Sequence, residues 1–230
     1  MTPVETTLGQ IRDYFNVDVS DRGDKATEIA GVGRNDLALF FERFGFDRGA
    51  EIGVMEGEYS QALLEANPDL RLVGVDPYSL RDDYVDRRRT QDVFDGYLRA
   101  ALARLDPYIR AGRYDLLPKR SEDARASVPD RSLDFVFIDG HHNFQNVTND
   151  IAWWSTKVRI GGIVAGHDYY ETRRPGFGLH VKQVVDAWTR AYQIRPWFVL
   201  GRKNAVAGEY RDDHRSFVFV NRETGAEIGR

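Results

Sequence analysis

The sequence predicts an α/β fold: a doubly wound, mostly parallel sheet with an antiparallel C-terminal edge hairpin and N-terminal helices. Three observations carry this. From Gly49 to Tyr192, short apolar runs alternate with longer stretches whose apolar residues recur every three to four positions. Several of these runs end in Gly or Asp and pass straight into turn residues, as strands feeding helices do. The last two runs, Phe198–Leu200 and Phe217–Val220, have no helical stretch between them, which reads as an antiparallel pair. A chain of 230 residues fits one domain with an addition, at roughly 150 residues per domain. We place the boundary between a helical extension, residues 1–47, and the main domain, residues 48–230.

Leu8, Ile11, Tyr14 and Phe15 predict a helix near residues 6–16, and Leu37 to Phe44 predict another over Asp36–Phe44. The intervening SDRGDKATEIAGVGRND reads as a connecting loop. Ala50–Gly53 is the end of a first strand, followed by a helix over Tyr59–Ala66 and a strand over Leu70–Val75. A helix over Thr90–Leu105, a strand over Tyr114–Leu117 and a short helix over Glu122–Ala126 follow. Leu133–Ile138 is an apolar strand. Phe144, Val147, Ile151 and Trp154 make the next stretch a helix, and Gly162–Ala165 a strand. Val181–Tyr192 is the last helix. Phe40, Phe41, Phe44 and Phe46 exceed what a free extension would carry, so the N-terminal helices are expected to serve as dimer or lid elements.

Composition excludes several classes. The chain has no Cys, so a disulfide scaffold, a zinc–thiolate centre and a Cys nucleophile are absent. A net charge of -4 argues against broad binding to nucleic acid or anionic membrane. No apolar run reaches the ~20 residues of a membrane span, and the N-terminus lacks a secretory pattern. The expectation is a cytoplasmic protein. Of its basic residues 27 are Arg and 5 are Lys, a skew that carries little functional weight.

The first strand-to-helix turn reads Glu51-Ile52-Gly53-Val54-Met55-Glu56-Gly57-Glu58-Tyr59-Ser60. A dinucleotide site needs G-x-G-x-x-G, with a pyrophosphate on the helix N-terminus. This turn has E-x-G-x-x-x-G instead, and its acids repel phosphate, so a phosphate-free cofactor with a cationic amino acid end suits it better. One strand on, Asp76 is placed to accept from a ribose diol. Each feature has a plainer reading, as a tight turn or an Asp before Pro. Together they resemble the class I S-adenosylmethionine-dependent methyltransferases. The resemblance implies that Glu51, Gly53, Met55, Glu56, Gly57 and Ser60 hold the methionine end, that Asp76 holds the ribose, and that Ser121, equally a helix N-cap, lies at the adenine.

Two further strand ends carry the most specific signal: Ile138-Asp139-Gly140-His141-His142, and Ala165-Gly166-His167-Asp168-Tyr169-Tyr170. Three of the five His lie here. In a parallel sheet adjacent C-terminal strand ends form one crevice, so Asp139, His142, His167 and Asp168 should converge. Carboxylates with an imidazole suit a divalent ion, with oxygen ligands favouring Mg²⁺, and a positioned His can take a proton from a metal-bound hydroxyl. The plain alternatives are a helix-capping Asp139 and ordinary loop histidines. The pair of loops resembles the macrocin and mycinamicin type of sugar O-methyltransferase, with a D-x-x-H after one strand and an acidic pair after the next. That implies Asp139 as metal ligand and cofactor contact, His142 as general base, and His167-Asp168 at the acidic pair, where His167 departs from the pattern. Size and Arg content also resemble mycobacterial methyltransferases of methylmannose oligosaccharides.

The acceptor is expected to be a small molecule or oligosaccharide, with Tyr78, Tyr169, Tyr170 and His141 as its contacts. Trp153 and Trp154 are weaker candidates, since they lie on a helix. The charged stretch from Tyr78 to Thr90, with Arg87-Arg88-Arg89, reads as a lid or a solvated loop, and Glu171 to Gly176 as a closing loop. Competing readings are a nucleic-acid or amine methyltransferase, a nicotinamide-dependent oxidoreductase, a cephalosporin hydroxylase-like metal protein, and a scaffold without chemistry. The first lacks [DN]-P-P-[YF] at the fourth strand and the second lacks the glycine fingerprint.

Overall fold

In a computed structural model, which describes residues 1–80, 90–171 and 178–222, the chain folds as an eight-stranded sheet flanked by helices on both faces. In chain order the elements are α1 (Pro3–Phe15), β1 (Thr27–Ile29), α2 (Arg34–Arg43), β2 (Arg48–Ile52), α3 (Glu58–Ala66), β3 (Arg71–Val75), α4 (Gln91–Arg110) and β4 (Tyr114–Leu117). They continue with α5 (Ser121–Ala124), β5 (Leu133–Ile138), α6 (Phe144–Ser155), β6 (Val158–Gly166), α7 (Val181–Ala191), β7 (Phe198–Leu200) and β8 (Phe217–Val220). The strand order is β1-β7-β8-β6-β5-β2-β3-β4. Every neighbouring pair is parallel except β6–β8 and β7–β8. The fold is thus a mixed α/β, Rossmann-like sheet with its antiparallel pair towards one edge. None of the described helices is long and apolar enough to cross a membrane.

One expectation is corrected. The stretch 20–36 is not loop throughout: Thr27–Ile29 forms β1, parallel to β7, and lies outside the antiparallel pair. Its alternating buried-exposed-buried pattern spans three residues, too short for periodicity to separate from a loop. The polar stretch from Tyr78 to Thr90 and the loop after Glu171 fall largely on residues 81–89 and 172–177, outside the described residues.

Alternation along the central strands sorts the core into two layers. Phe135 and Phe137 of β5 face the layer containing α1, α2 and α3, while Val136 and Ile138 face the one containing α6 and α7. Strands buried on both faces are expected to be apolar throughout, as LDFVFI is. The aromatic surplus of residues 40–46 belongs here, not on a free face. Phe40, Phe41 and Phe46 are fully buried, and the Phe41 ring stacks on Phe135 with centroids 3.9 Å apart. Each such burial contributes about 1.5–3 kcal/mol, so α2 is part of the core and not a detachable lid.

The first helix is pinned as well. Thr2 caps it through a reciprocal pair with Glu5, and buried Thr7 donates through its hydroxyl to the Gly161 carbonyl at 2.6 Å. Gly161 has φ +79, and a Cβ there would meet the Pro3 backbone at 2.7 Å. Gly161→Ala should therefore lower stability by about 1–3 kcal/mol through strain and a displaced α1, read as a fall in the urea midpoint with an unchanged m-value.

Candidate active site

The four central strands end level. Ile52 pairs with Val75 on one side and with Ile138 on the other, and Ile138 pairs with Gly166. Backbone bonds carry this one residue further: Gly53 N–H donates to Val75, Asp139 N–H to Ile52 at 2.7 Å, and His167 N–H to Ile138. Gly53, Asp76, Asp139 and His167 therefore stand in one row at the C-terminal edge, where the strand order reverses about β2, the place open α/β sheets bind ligands. A cleft of about 440 Å³ opens over this row, within the range of small-molecule sites.

The first turn forms one wall. Gly53 has φ +92, and a Cβ would lie 2.1 Å from the Asp139 carbonyl oxygen, so the turn packs directly on the β5–α6 loop. Asp76 braces the same turn. Its Oδ2 accepts from the Val54 and Met55 N–H groups at 3.0 Å each, and Oδ1 accepts from Tyr78 N–H at 2.9 Å. A carboxylate has about four lone-pair sites, so one on Oδ1 remains for a ligand. Glu51 is 2% exposed yet lines the cleft. Burial pushes its carboxyl up to about 8, against a bond from Ser60 Oγ that acts the other way.

The structure brings Glu51, Gly53, Met55, Glu56, Asp76, Ser121, Asp139, His141, His142, His167 and Asp168 to the cleft wall. Gly57, Ser60, Tyr78 and Tyr169 stand off the cleft wall. Ser60 is fully buried behind Glu51, and Gly57 supports α3 against Leu105, where a Cβ would come within 2.8 Å. Both shape the turn without lining the cleft. Tyr78 is buried in the core. Tyr169 is buried against Trp197 and donates to Asp186 at 2.7 Å, so neither ring offers a stacking face. Tyr170 stacks on His214, with centroids 4.4 Å apart.

Asp139, His142, His167 and Asp168 do converge. His142 Nε2 lies 2.9 Å from Asp168 Oδ2 and 3.6 Å from Asp139 Oδ1, and His167 Nδ1 lies 3.7 Å from Asp139. Arg34, at the start of α2, reaches Asp139 at 3.6 Å. Helix α6 is capped by Asn143, which accepts from Asn146 N–H, so Asp139 is not its cap. Burial works to lower the His142 pKa, but Asp139 and Asp168 outweigh it and hold it near 10. Burial likewise works against the Asp168 charge, while His142, His167 and His214 keep that carboxyl below its usual range. His167 Nε2 and Asp168 Oδ1 are buried and make no hydrogen bond. Two groups, Asp139–His142–Asp168 and His167–Asp168–His214, each have ligand-capable atoms within 4.8 Å of one another. Orphaned lone pairs on clustered carboxylates and imidazoles suit a divalent cation.

Arg34, Asp150 and His214 of the cleft escaped the sequence reading, and Trp153 was set below the tyrosines. Arg34 and His214 lie far from the strand ends in sequence, on elements whose proximity only the sheet order reveals. Trp153 lines the cleft, with the Arg125 guanidinium 4.6 Å over its ring, and Asp150 accepts from Ser121 Oγ at 2.5 Å. The helical spacing of α6 was legible; that its Trp153 and Asp150 flank fronts the cleft was not.

Comparison with known proteins agrees on the fold. The O-methyltransferase TomG of Streptomyces achromogenes, solved with S-adenosylmethionine, superposes with a TM-score of 0.56 at 16% identity, over 96% of this chain and 90% of that one. An O-methyltransferase of Bacillus cereus, solved with S-adenosylhomocysteine, gives 0.55 at 15% identity, over 95% and 90%. An uncharacterised protein of Sinorhizobium fredii is 33% identical over 95 residues; the match spans 41% of this chain and about a tenth of that protein's length. The family model described as a methyltransferase domain matches residues 50–169, which run from β2 through the first turn and Asp139 to the residue after Asp168. The chain belongs to that methyltransferase domain family.

Proposed function

We propose that the protein is an S-adenosylmethionine-dependent, divalent-cation-assisted O-methyltransferase acting on a hydroxyl of a sugar or other saccharide-containing small molecule. One observation carries this reading: the level strand ends place the acidic first turn and the Asp139–His142–Asp168 cluster in one cleft. When bound, the cofactor supplies an electrophilic methyl group on sulfur, and a divalent cation supplies charge that acidifies an acceptor hydroxyl. The chain does the rest. Glu51 accepts from the cofactor's ammonium once it has lost its proton, and Asp76 offers its remaining lone pair to a ribose hydroxyl. Asp139 and Asp168 would hold the divalent cation through their carboxylate oxygens. His142 would receive the acceptor's proton at Nε2 once a bound cation has engaged the Asp139 and Asp168 carboxylates and released the proton they hold there. Trp153 and His141 line the cleft where an acceptor ring would lie.

His142→Ala should lower kcat by about 10²–10⁴-fold while leaving the melting shift with S-adenosylhomocysteine intact, and EDTA should abolish turnover until a divalent cation is restored. Methyl transfer unchanged by both would remove this mechanism. In the cation-free protein the His142 ring should titrate near 10 by NMR and fall on adding Mg²⁺, because the cation competes for the two carboxylates that raise it.

Glu51 gives a stability prediction. Its folded pKa, about 8, lies above the ordinary 4.5, so the folded chain retains a proton that the unfolded chain releases. Its contribution is complete below about 4.5 and is lost as pH rises through about 8. Glu51→Gln should flatten the fall in melting temperature across that window, and weaken S-adenosylhomocysteine binding above pH 8.

A further inference from the structure

The two candidate ligand groups share Asp168 but use different oxygens. Oδ2 faces His142, whereas Oδ1 lies 2.6 Å from His214 Nδ1 and 3.8 Å from His167 Nδ1. His214 comes from the connection between β7 and β8, and the structure holds that connection in place. Arg215, its neighbour, is buried, bonded to Glu28 of β1 at 2.7 Å, and its carbonyl accepts from Tyr169 N–H. Asp212 accepts from Arg34 N–H at 2.8 Å, and the Tyr170 ring stacks on His214 itself. Asp168 has only 8% of its side chain exposed, and Oδ1 makes no hydrogen bond in spite of the adjacent imidazole. One carboxylate oxygen facing two imidazole nitrogens is a donor set that a cation can use.

We infer that His167, Asp168 and His214 form an imidazole-rich metal site selective for a borderline first-row cation of the Fe²⁺, Co²⁺ or Zn²⁺ class over Mg²⁺. Two imidazoles with one carboxylate are the donors such cations prefer, whereas Mg²⁺ prefers oxygen and retains its water. With two nitrogen donors against one oxygen, His167 and His214 shift the preference together. The inference rests on the reading of this cleft as metal-assisted and fixes the class of metal.

The test is calorimetric titration of the metal-stripped full chain with Co²⁺ and with Mg²⁺, alongside His214→Ala and Asp139→Asn. The native protein should prefer Co²⁺ by well over a hundredfold, and His214→Ala should reduce that preference at least tenfold by weakening Co²⁺ alone. Because His214 is half exposed, the variant should fold, as an unchanged melting shift with S-adenosylhomocysteine would verify. Pulsed electron paramagnetic resonance of the Mn²⁺-loaded protein should show imidazole ¹⁴N coupling that weakens in His214→Ala. An unchanged Co²⁺ to Mg²⁺ ratio in His214→Ala, or Co²⁺ binding lost only in Asp139→Asn, overturns the inference. Absence of any S-adenosylhomocysteine shift in the native protein would instead sink the methyltransferase reading while leaving the metal result to stand.

Discussion

Everything at the cleft depends on the level register of β2, β3, β5 and β6. Parallel strands leave their C-terminal ends wherever register puts them, and a slip of one residue would turn each terminal side chain to the other face. Here Ile52, Val75, Ile138 and Gly166 lie in one row, and the row is extended by the backbone bonds of Gly53, Asp139 and His167. Two conditions on the sequence keep it so. Gly53 must be glycine, because its neighbour across the row is a carbonyl oxygen, and β5 must be apolar on both faces to anchor two core layers at once.

The site concentrates charge that the fold must offset. Asp139 and Asp168 face His142, His167, His214 and Arg34 at 2.6–3.8 Å. Ionised groups out of water are costly unless paired, and this set is paired without being fully hydrogen-bonded, since Asp168 Oδ1 and His167 Nε2 are left without a bond. Held at the end of a rigid sheet, these open groups suit the cation proposed above. Glu51 is the opposite case: it is buried with Ser60 Oγ bonded to it, and keeps its proton until about pH 8.

Much of this was legible from sequence because the central strands combine period-two burial with chemically distinctive ends. LDFVFI-D and GGIVAG-H each announce both a strand and a functional loop, and the loops converge as expected. Legibility failed where proximity comes from topology alone. Thr27–Ile29 is too short to show a period, and it becomes a strand because Phe198–Leu200 offers it an edge. His214 and Arg34 look like ordinary polar residues until β7, β8 and α2 bring them to the row. The tyrosines failed for a different reason: Tyr169 follows Asp168 directly, but its side chain turns away to Asp186 and Trp197 while Asp168 turns in.

That divergence points to backbone strain as the final organising device. Of the six non-glycine residues with positive φ among the described residues, Met55, Tyr78 and Asp168 lie at or beside the cleft. Each such conformation costs of order 1–3 kcal/mol and persists only where its surroundings fix it. Asp76 fixes two of them, since it accepts from both the Met55 and Tyr78 N–H groups. Its carboxylate thus holds two turns in shape before it meets any ribose, and a cofactor hydroxyl would meet an acceptor already in position. At Asp168 the neighbours do the same: Tyr169 N–H is bonded to Arg215 and His167 N–H to Ile138, so the residue between has little freedom to relax. Asp tolerates the left-handed region better than most residues. A carboxylate is therefore among the few side chains that this strained position accepts and that a cation would also use.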